Sequence, residues 1–296
     1  MIVVNIHDDV SEGAAAVRTM TGPSTIGLST YSFFWQWHET APRPLSLADL
    51  VAKTAAWGVD LLQLCDHPTL DRFDADQAAD LAATGCDLGV RFELGTRGLD
   101  TAHLLHYLDL AGRLDVSLVR SMVKREEIAE AENLLAKVVP AYAEAGVTLA
   151  LETYEQIPTT TLVDLVTQAE NAYLGIVLDP GNSVAALETP RSTIDLTADH
   201  TRNLHVKDFD FSRQAGWVGF TYAGARLGEG LLDYDYLVER VRPFDRGINQ
   251  IVEHWLVWQG DSETTCRLED EWTLHNLAYL RRKAAAHTSH EGAAQS

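Results

Sequence analysis

From residue 24 onward the chain alternates two hydrophobic patterns. A segment with apolar residues at helical spacing ends near a glycine or another small residue, and a short, almost continuously apolar run follows. Ala55-Ala-Trp-Gly58 leads into 59–65, Ala83-Thr-Gly85 into 88–94, Leu114-Asp-Val116 into 117–121, and Glu144-Ala-Gly146 into 147–152. Glycine just past a helix supplies the left-handed residue that closes it. An uninterrupted apolar run suits a strand covered on both faces. Runs at 26–30, 174–179, 203–207 and 248–253 bring the predicted strands to eight. Helices are predicted at 46–57, 74–84, 101–113, 125–145, 159–170, 191–199, 233–241 and 266–283.

Eight β/α units in about 260 residues have the size of one closed barrel. The predicted class is therefore α/β, a single (β/α)8 TIM barrel over residues 24–283. A doubly wound open sheet is the alternative, but no GxGxxG opens a helix after a strand. Residues 1–23 read as a loose N-terminal arm. Residues 284–296 lack apolar periodicity and read as a disordered tail, which discounts His287 and His290 as ligands. The 208–232 connection, rich in glycine and aromatics, is long enough to suggest a functional loop.

Charge narrows the partners. With 23 Lys+Arg against 43 Asp+Glu the formal charge is −20, which argues against a nucleic-acid phosphate track or an anionic membrane surface. The three cysteines, Cys65, Cys86 and Cys266, are far apart and form no CxxC pair, as expected of free thiols in a reducing compartment. No apolar run reaches the ~18 residues of a membrane span. The first ten residues carry acid where a signal peptide carries lysine or arginine, so a cytoplasmic location is expected.

Candidate chemistry lies at the strand ends, because the C-terminal ends of all barrel strands open onto one face. Four predicted strands close on a ligand-type side chain: Glu152, Asp179, His205 and Glu253. A strand period of two places Thr148, Ala150 and Glu152 on the barrel side of one strand, and Asn203, His205 and Lys207 on that of another. Three carboxylates beside one imidazole repel one another unless a cation is present. Mixed oxygen and nitrogen donors suit one divalent ion, manganese first, with magnesium, cobalt or zinc also suited. Separate salt bridges would explain any one of these strand ends, but explain four successive ones poorly.

These residues, in Leu151-Glu152, Leu178-Asp-Pro-Gly-Asn182, Leu204-His-Val-Lys-Asp208, Leu227-Gly-Glu-Gly-Leu-Leu-Asp233 and Val252-Glu253, resemble the sugar isomerase/epimerase superfamily with a xylose-isomerase-like barrel. The resemblance spans roughly 24–283 and implies that Glu152, Asp179, His205 and Glu253 bind one divalent metal. The run from His205-Val-Lys-Asp to Gly228-Glu-Gly is similar to its keto-sugar-acid decarboxylase and 3-oxo-glycoside-cleaving branches. Two positions depart from the pattern. Asn182 stands where many relatives carry histidine, and Thr153-Tyr154 stands where those two branches often show Asn-His. Either Tyr154 takes over any proton carried by that histidine or the chemistry differs.

The expected activity is enolisation of an unphosphorylated keto-sugar, with Glu152 and Glu253 moving the proton and Lys207 donating to the developing oxyanion. Isomerisation or epimerisation leads. The alternatives on the same scaffold are a lyase, either decarboxylating a 3-oxo sugar acid or eliminating an aglycone, and a non-catalytic sugar-binding or partner subunit. An endonuclease of this barrel type is disfavoured by the charge. Lys207 could equally pair with Asp208 or Glu229. His67, after Asp66 at the end of the second strand, is a candidate acid/base or simply a hydrogen-bond partner of Asp66. Glu93, Arg97, Arg120 and Asn182 are candidate substrate contacts. The two arginines are suited either to clamp a carboxylate or, the better fit to so acidic a protein, to neutralise local acid. Tyr31, Trp35, Trp217 and Trp255 are expected at the mouth, stacking on a sugar or glycoside. A homo-oligomer or accessory subunit is also allowed for.

Overall fold

The computed structural model describes residues 23–294. Except for Pro23, the expected N-terminal arm lies outside the described residues. Eight parallel strands close into a barrel: β1 (Ile26–Ser29), β2 (Leu61–Cys65), β3 (Arg91–Gly95), β4 (Leu118–Ser121), β5 (Thr148–Glu152), β6 (Leu174–Leu178), β7 (Thr201–Val206) and β10 (Asn249–Val252). Around the barrel the order is β1, β10, β7, β6, β5, β4, β3, β2, so each strand lies beside its sequence neighbour among the eight. This is the single (β/α)8 barrel that the periodicity predicts.

Local chemistry sets the element boundaries. Asp74 and Gln77 cap the helix Ala75–Leu88 reciprocally, each side chain accepting the other's backbone N–H at 2.9 and 3.1 Å. Gly89 then closes the helix with φ 67°. The helix therefore takes Leu88, and the strand expected from 88 starts at Arg91. Ser46 and Asp49 form the same box before Leu47–Ala56. Gly146, with φ 69°, closes Ala131–Ala145.

The main core lies between the barrel's outer face and the helices, where strand residues such as Leu62, Leu64, Leu149, Leu151 and Leu204 meet Leu50, Leu81, Tyr142 and Leu237. Inside the barrel a separate small cluster joins Leu118, Ala150 and Val177. The lumen also holds the buried polar residues Gln63, Glu93, Asn203 and Asn249. Gln63 pairs in register with Glu93, and Asn203 with Asn249.

Two segments differ from expectation. The 208–232 connection is built around an antiparallel hairpin of β8 (Asp208–Arg213) and β9 (Phe220–Ala225). At its root the Asp208 carboxylate accepts four backbone N–H groups, from Phe209, Gly228, Gly230 and Leu232, at 2.8–3.0 Å. A Cβ at Gly230 would lie 2.3 Å from Oδ1 of Asp208, so only glycine lets the loop come this close. The second difference is in the last helix, which runs Ser262–Ala294 and takes in residues 284–294 of the expected disordered tail, residues 295–296 lying outside the described residues. Good helix formers such as alanine carry a helix on without an apolar stripe. Among the described residues no helix is long and apolar enough to cross a membrane.

Candidate active site

Four strand ends converge as the alternation requires. His205 is fully buried on β7, with Nδ1 3.3 Å from Oε1 of Glu152, 3.6 Å from Oε2 of Glu253 and 4.0 Å from Oδ2 of Asp179. That nitrogen makes no hydrogen bond, and neither does Oε1 of Glu253. Asp179 follows β6 and caps the short helix Pro180–Val184, its Oδ1 accepting from the N–H of Gly181 and Asn182 at 3.0 and 3.2 Å. Its Oδ2 lies 2.7 Å from Nζ of Lys207.

Two buried cations balance the acids. Nε of Arg120, from β4, is 2.7 Å from Oε2 of Glu152. Burial opposes ionisation of Glu152, but Arg120, His205 and Lys207 outweigh it and hold the carboxyl down at about 2. Burial likewise disfavours charge on Lys207, yet Asp179 and Glu253 raise its pKa above the ordinary lysine value. Glu253 and Glu152 raise that of His205 in the same way against burial. The pocket thus gathers positive charge wherever it can. Glu152, Asp179 and His205 each offer a ligand atom within 4.8 Å of the others. Carboxylate oxygens, one imidazole nitrogen without a hydrogen bond and an unpartnered Glu253 oxygen form a donor set that fits a divalent cation.

The other expected residues separate into groups. Asn182 belongs to the inner network: its Nδ2 donates to Oε1 of Glu152 at 2.7 Å, and its Oδ1 accepts from Lys207 at 3.2 Å. Lys207 pairs with Asp179 and Glu253, so neither of the salt bridges expected for it, to Asp208 or to Glu229, is formed. Its Nζ also sits 4.0 Å over the Trp255 ring, which places that indole at the site. Arg120 is only 2% exposed and committed to Glu152, Asp66 and the Thr96 carbonyl, so it neutralises local acid and leaves no free fork to clamp a carboxylate. Glu93 does not reach the mouth; it is enclosed by amide groups of Gln63, Asn203 and Asn249. Trp217 is 78% exposed near the hairpin tip, with the Arg213 guanidinium 5.3 Å from its ring.

Two cavities adjoin the site. One, of about 690 Å³, is lined by Tyr31, Trp37, Asp66, His67 and Arg97 among others. Asp66, expected from sequence only as a partner for His67, organises this wall, accepting from Tyr31 Oη at 3.0 Å and pairing with Arg97 at 3.1 Å and Arg120 at 3.4 Å. It does so at φ 52°, a conformation aspartate tolerates better than most residues. Burial lowers His67 to about 4, so it is a neutral imidazole near neutral pH, with Nδ1 2.9 Å from Thr69 Oγ1. The second cavity, of about 420 Å³, is mainly apolar and lined by Tyr31, Trp35, Trp255, Leu256 and Trp258. Tyr154 is partly buried, and burial with the nearby Glu155 raises its pKa. Tyr222 of β9 was also missed; its hydroxyl donates to the Gly181 carbonyl at 2.6 Å and ties the hairpin to the Asp179 helix.

Comparison with known proteins agrees with this architecture. The chain is 49% identical over 271 residues to the 3-oxo-isoapionate decarboxylase of Pectobacterium atrosepticum, covering 90% of this chain and 98% of that protein. Among solved structures, a D-psicose 3-epimerase from Clostridium cellulolyticum H10, determined with D-tagatose, superposes with TM-score 0.66 at 14% identity, covering 87% of this chain and 98% of the other. A xylose isomerase-like TIM barrel protein from Mycobacterium smegmatis, in complex with magnesium, gives TM-score 0.64 at 12% identity, covering 86% and 97%. At these identities the two structures speak for the fold alone. Residues 51–283 match the sequence signature of that barrel family, and the chain belongs to the xylose isomerase-like TIM barrel family.

Proposed function

We propose that this protein is a divalent-metal-dependent lyase that decarboxylates a 3-oxo sugar acid of the 3-oxo-isoapionate type. The observation that carries the reading is the 49% identity to a 3-oxo-isoapionate decarboxylase, sustained over 98% of that relative. The inner site supports it. Moving a proton between the two faces of a sugar carbon needs free bases, and Glu152 is held by Arg120 at 2.7 Å. Loss of carbon dioxide from a 3-oxo acid needs only a sink for the electron pair, and no C–H proton is removed.

Glu152, Asp179, His205 and Glu253 are the residues that would hold the ion. Such an ion, when bound, supplies Lewis-acid stabilisation for the charge that develops on the 3-oxo oxygen. Lys207, kept cationic by Asp179 and Glu253, would donate to the same developing charge. The bond between the carboxyl carbon and C2 breaks, and its electron pair enters C2–C3 to give an enolate. Carbon dioxide leaves, and C2 takes up a proton. Trp255 shields one side of Lys207, while the polar wall of Tyr31, Asp66 and Arg97 faces the space where hydroxyl groups of a small sugar acid would lie. The substrate carboxylate is the leaving group, so no arginine clamp on it is required.

The deciding experiment incubates purified protein with 3-oxo-isoapionate and manganese or magnesium, and follows carbon dioxide release and the keto-sugar product. Parallel assays use D-psicose and D-tagatose. Metal-dependent carbon dioxide release with no epimerisation is the expected result. Epimerisation of the free sugars without decarboxylation would replace this reading by the epimerase one.

A further inference from the structure

A carboxylate sits in the barrel lumen with no catalytic task. Glu93 is 3% exposed and, among the described residues, forms no salt bridge; its hydrogen-bond partners are three amide groups. Oε1 accepts from Nδ2 of Asn249 at 2.8 Å, and Oε2 accepts from Nε2 of Gln63 at 3.0 Å and Nδ2 of Asn203 at 2.9 Å. Burial raises the pKa of Glu93 against the lowering effect of those amides, and with all three NH2 groups turned inward both of its oxygens act as acceptors. For Gln63 this fixes the opposite end as well. Its carbonyl oxygen is aimed at Nε2 of His205, 2.7 Å away, and also accepts from Cys65 Sγ at 3.0 Å.

We infer that Glu93, acting through Gln63, is a positioning residue that fixes the tautomer of His205 and so prepares Nδ1 to bind a metal. A carbonyl oxygen demands a donor, so the single proton of the neutral imidazole stays on Nε2. Nδ1 then carries a lone pair, and it is the nitrogen that faces Glu152, Glu253 and Asp179 without a hydrogen bond. The three carboxylates attract a proton to Nδ1; the relay holds it on the far side of the ring. Donation from a ligating histidine's other nitrogen to a fixed acceptor is the general device by which ring orientation and tautomer are set. Here the acceptor is an amide, which could present either end, and the buried acid behind it removes that freedom. The inference rests on the metal-dependent reading above and deepens it.

Glu93→Gln is the informative variant. A glutamine there can donate, so Gln63 is free to rotate and offer its NH2 to Nε2, which moves the ring proton to Nδ1 and blocks the ligand position. The full chain is labelled with 15N-histidine, stripped of metal with a chelator and held at alkaline pH so that His205 is neutral, with His205→Gln assigning its signals. Long-range 1H–15N correlations report the tautomer, and manganese affinity is titrated by electron paramagnetic resonance. The expected result is an Nε2–H ring in the wild type, a shift towards Nδ1–H in Glu93→Gln, and about 10- to 100-fold weaker manganese binding in the variant.

Gln63→Met, which removes the acceptor and keeps the chain length, reads the same relay if Glu93→Gln does not fold. A wild-type ring protonated on Nδ1 overturns the inference without any variant. So does a folded Glu93→Gln that retains both the Nε2–H ring and the wild-type affinity, which would leave Glu93 a merely structural role. Neither readout involves substrate, so absence of decarboxylation would count against the proposed activity and leave the relay standing. A wild type that takes up no manganese would count against the metal reading, while the tautomer still decides the relay.

Discussion

Nε of Arg120 lies 2.7 Å from Oε2 of Glu152, with both side chains almost wholly buried, and the same guanidinium reaches Asp66 at 3.4 Å and the Thr96 carbonyl at 2.9 Å. One cation therefore couples the inner carboxylates to the wall of the larger cavity. Removing one partner of a buried pair leaves an uncompensated charge, which typically costs about 3–5 kcal/mol. Arg120→Met is expected to lose that much in urea unfolding and to recover part of it when manganese is added. A loss under about 1 kcal/mol, the size of an exposed pair, would show that the guanidinium is dispensable.

The cation site makes its own stability prediction. An ion that binds only the folded chain stabilises it by about 2.7 kcal/mol at a hundredfold excess over Kd. Unfolding of the wild type in graded manganese should show this rise, and His205→Ala should abolish it. Equal curves for the two proteins would remove His205 from the ligand set.

On the proposed reading Lys207 acts on the reaction rather than on affinity. Loss of a donor aimed at a developing oxyanion costs about 100- to 1000-fold in kcat. Lys207→Met, assayed with saturating divalent ion, is expected to show a fall of this order in decarboxylation with KM little changed. A rise in KM at constant kcat would instead make Lys207 a contact for bound substrate.

Away from the site, Glu269 predicts how stability varies with pH. Burial raises its pKa to about 8, against the opposing donors at Trp35 N–H and Gln36. The unfolded value is about 4.3, so between about 4 and 8 the native state binds the extra proton. Its contribution is complete below the unfolded value and is lost as pH rises through the folded one, with a slope of up to about 1.4 kcal/mol per pH unit. Urea unfolding from pH 5 to 8, compared between wild type and Glu269→Gln, should show the wild type losing stability relative to the variant as pH rises. Parallel curves would mean that Glu269 is ionised throughout.

The residues that ended apolar runs were legible from sequence, because a ligand-type side chain at the end of Ile176-Val-Leu or Leu149-Ala-Leu interrupts a pattern that nothing else explains. Their convergence followed from strand alternation and barrel closure. Gln63, Asn203 and Asn249 gave no such signal, since which lumen residues meet depends on register between strands remote in sequence. Sequence makes Glu93 a candidate substrate contact, because a strand residue's depth in the barrel cannot be read from its own neighbours. The wider role of Asp66 escaped because it comes from Tyr31, Arg97 and Arg120, which lie on three other segments. The hairpin was hidden in a mixed run of glycine and aromatics with no clean alternation, and the extension of the terminal helix beyond residue 283 in an alanine-rich run with no apolar face to detect.

The root of that hairpin and its tip are mechanically distinct. Asp208 clamps the following loop, Tyr222 holds Gly181, and the N–H of Gly224 donates to the Trp255 carbonyl at 3.2 Å, so the root is bolted to the chemistry. The tip stands out in solvent and is held by its own contacts, the Gln214 N–H donating to the Gly219 carbonyl and Arg213 lying against Trp217 and Phe220. A lineage could therefore rebuild residues 214–219 to change what reaches the open face of the barrel, while Glu152, Asp179, His205 and Glu253 keep their places. Selectivity and reactivity become separately heritable traits of one loop.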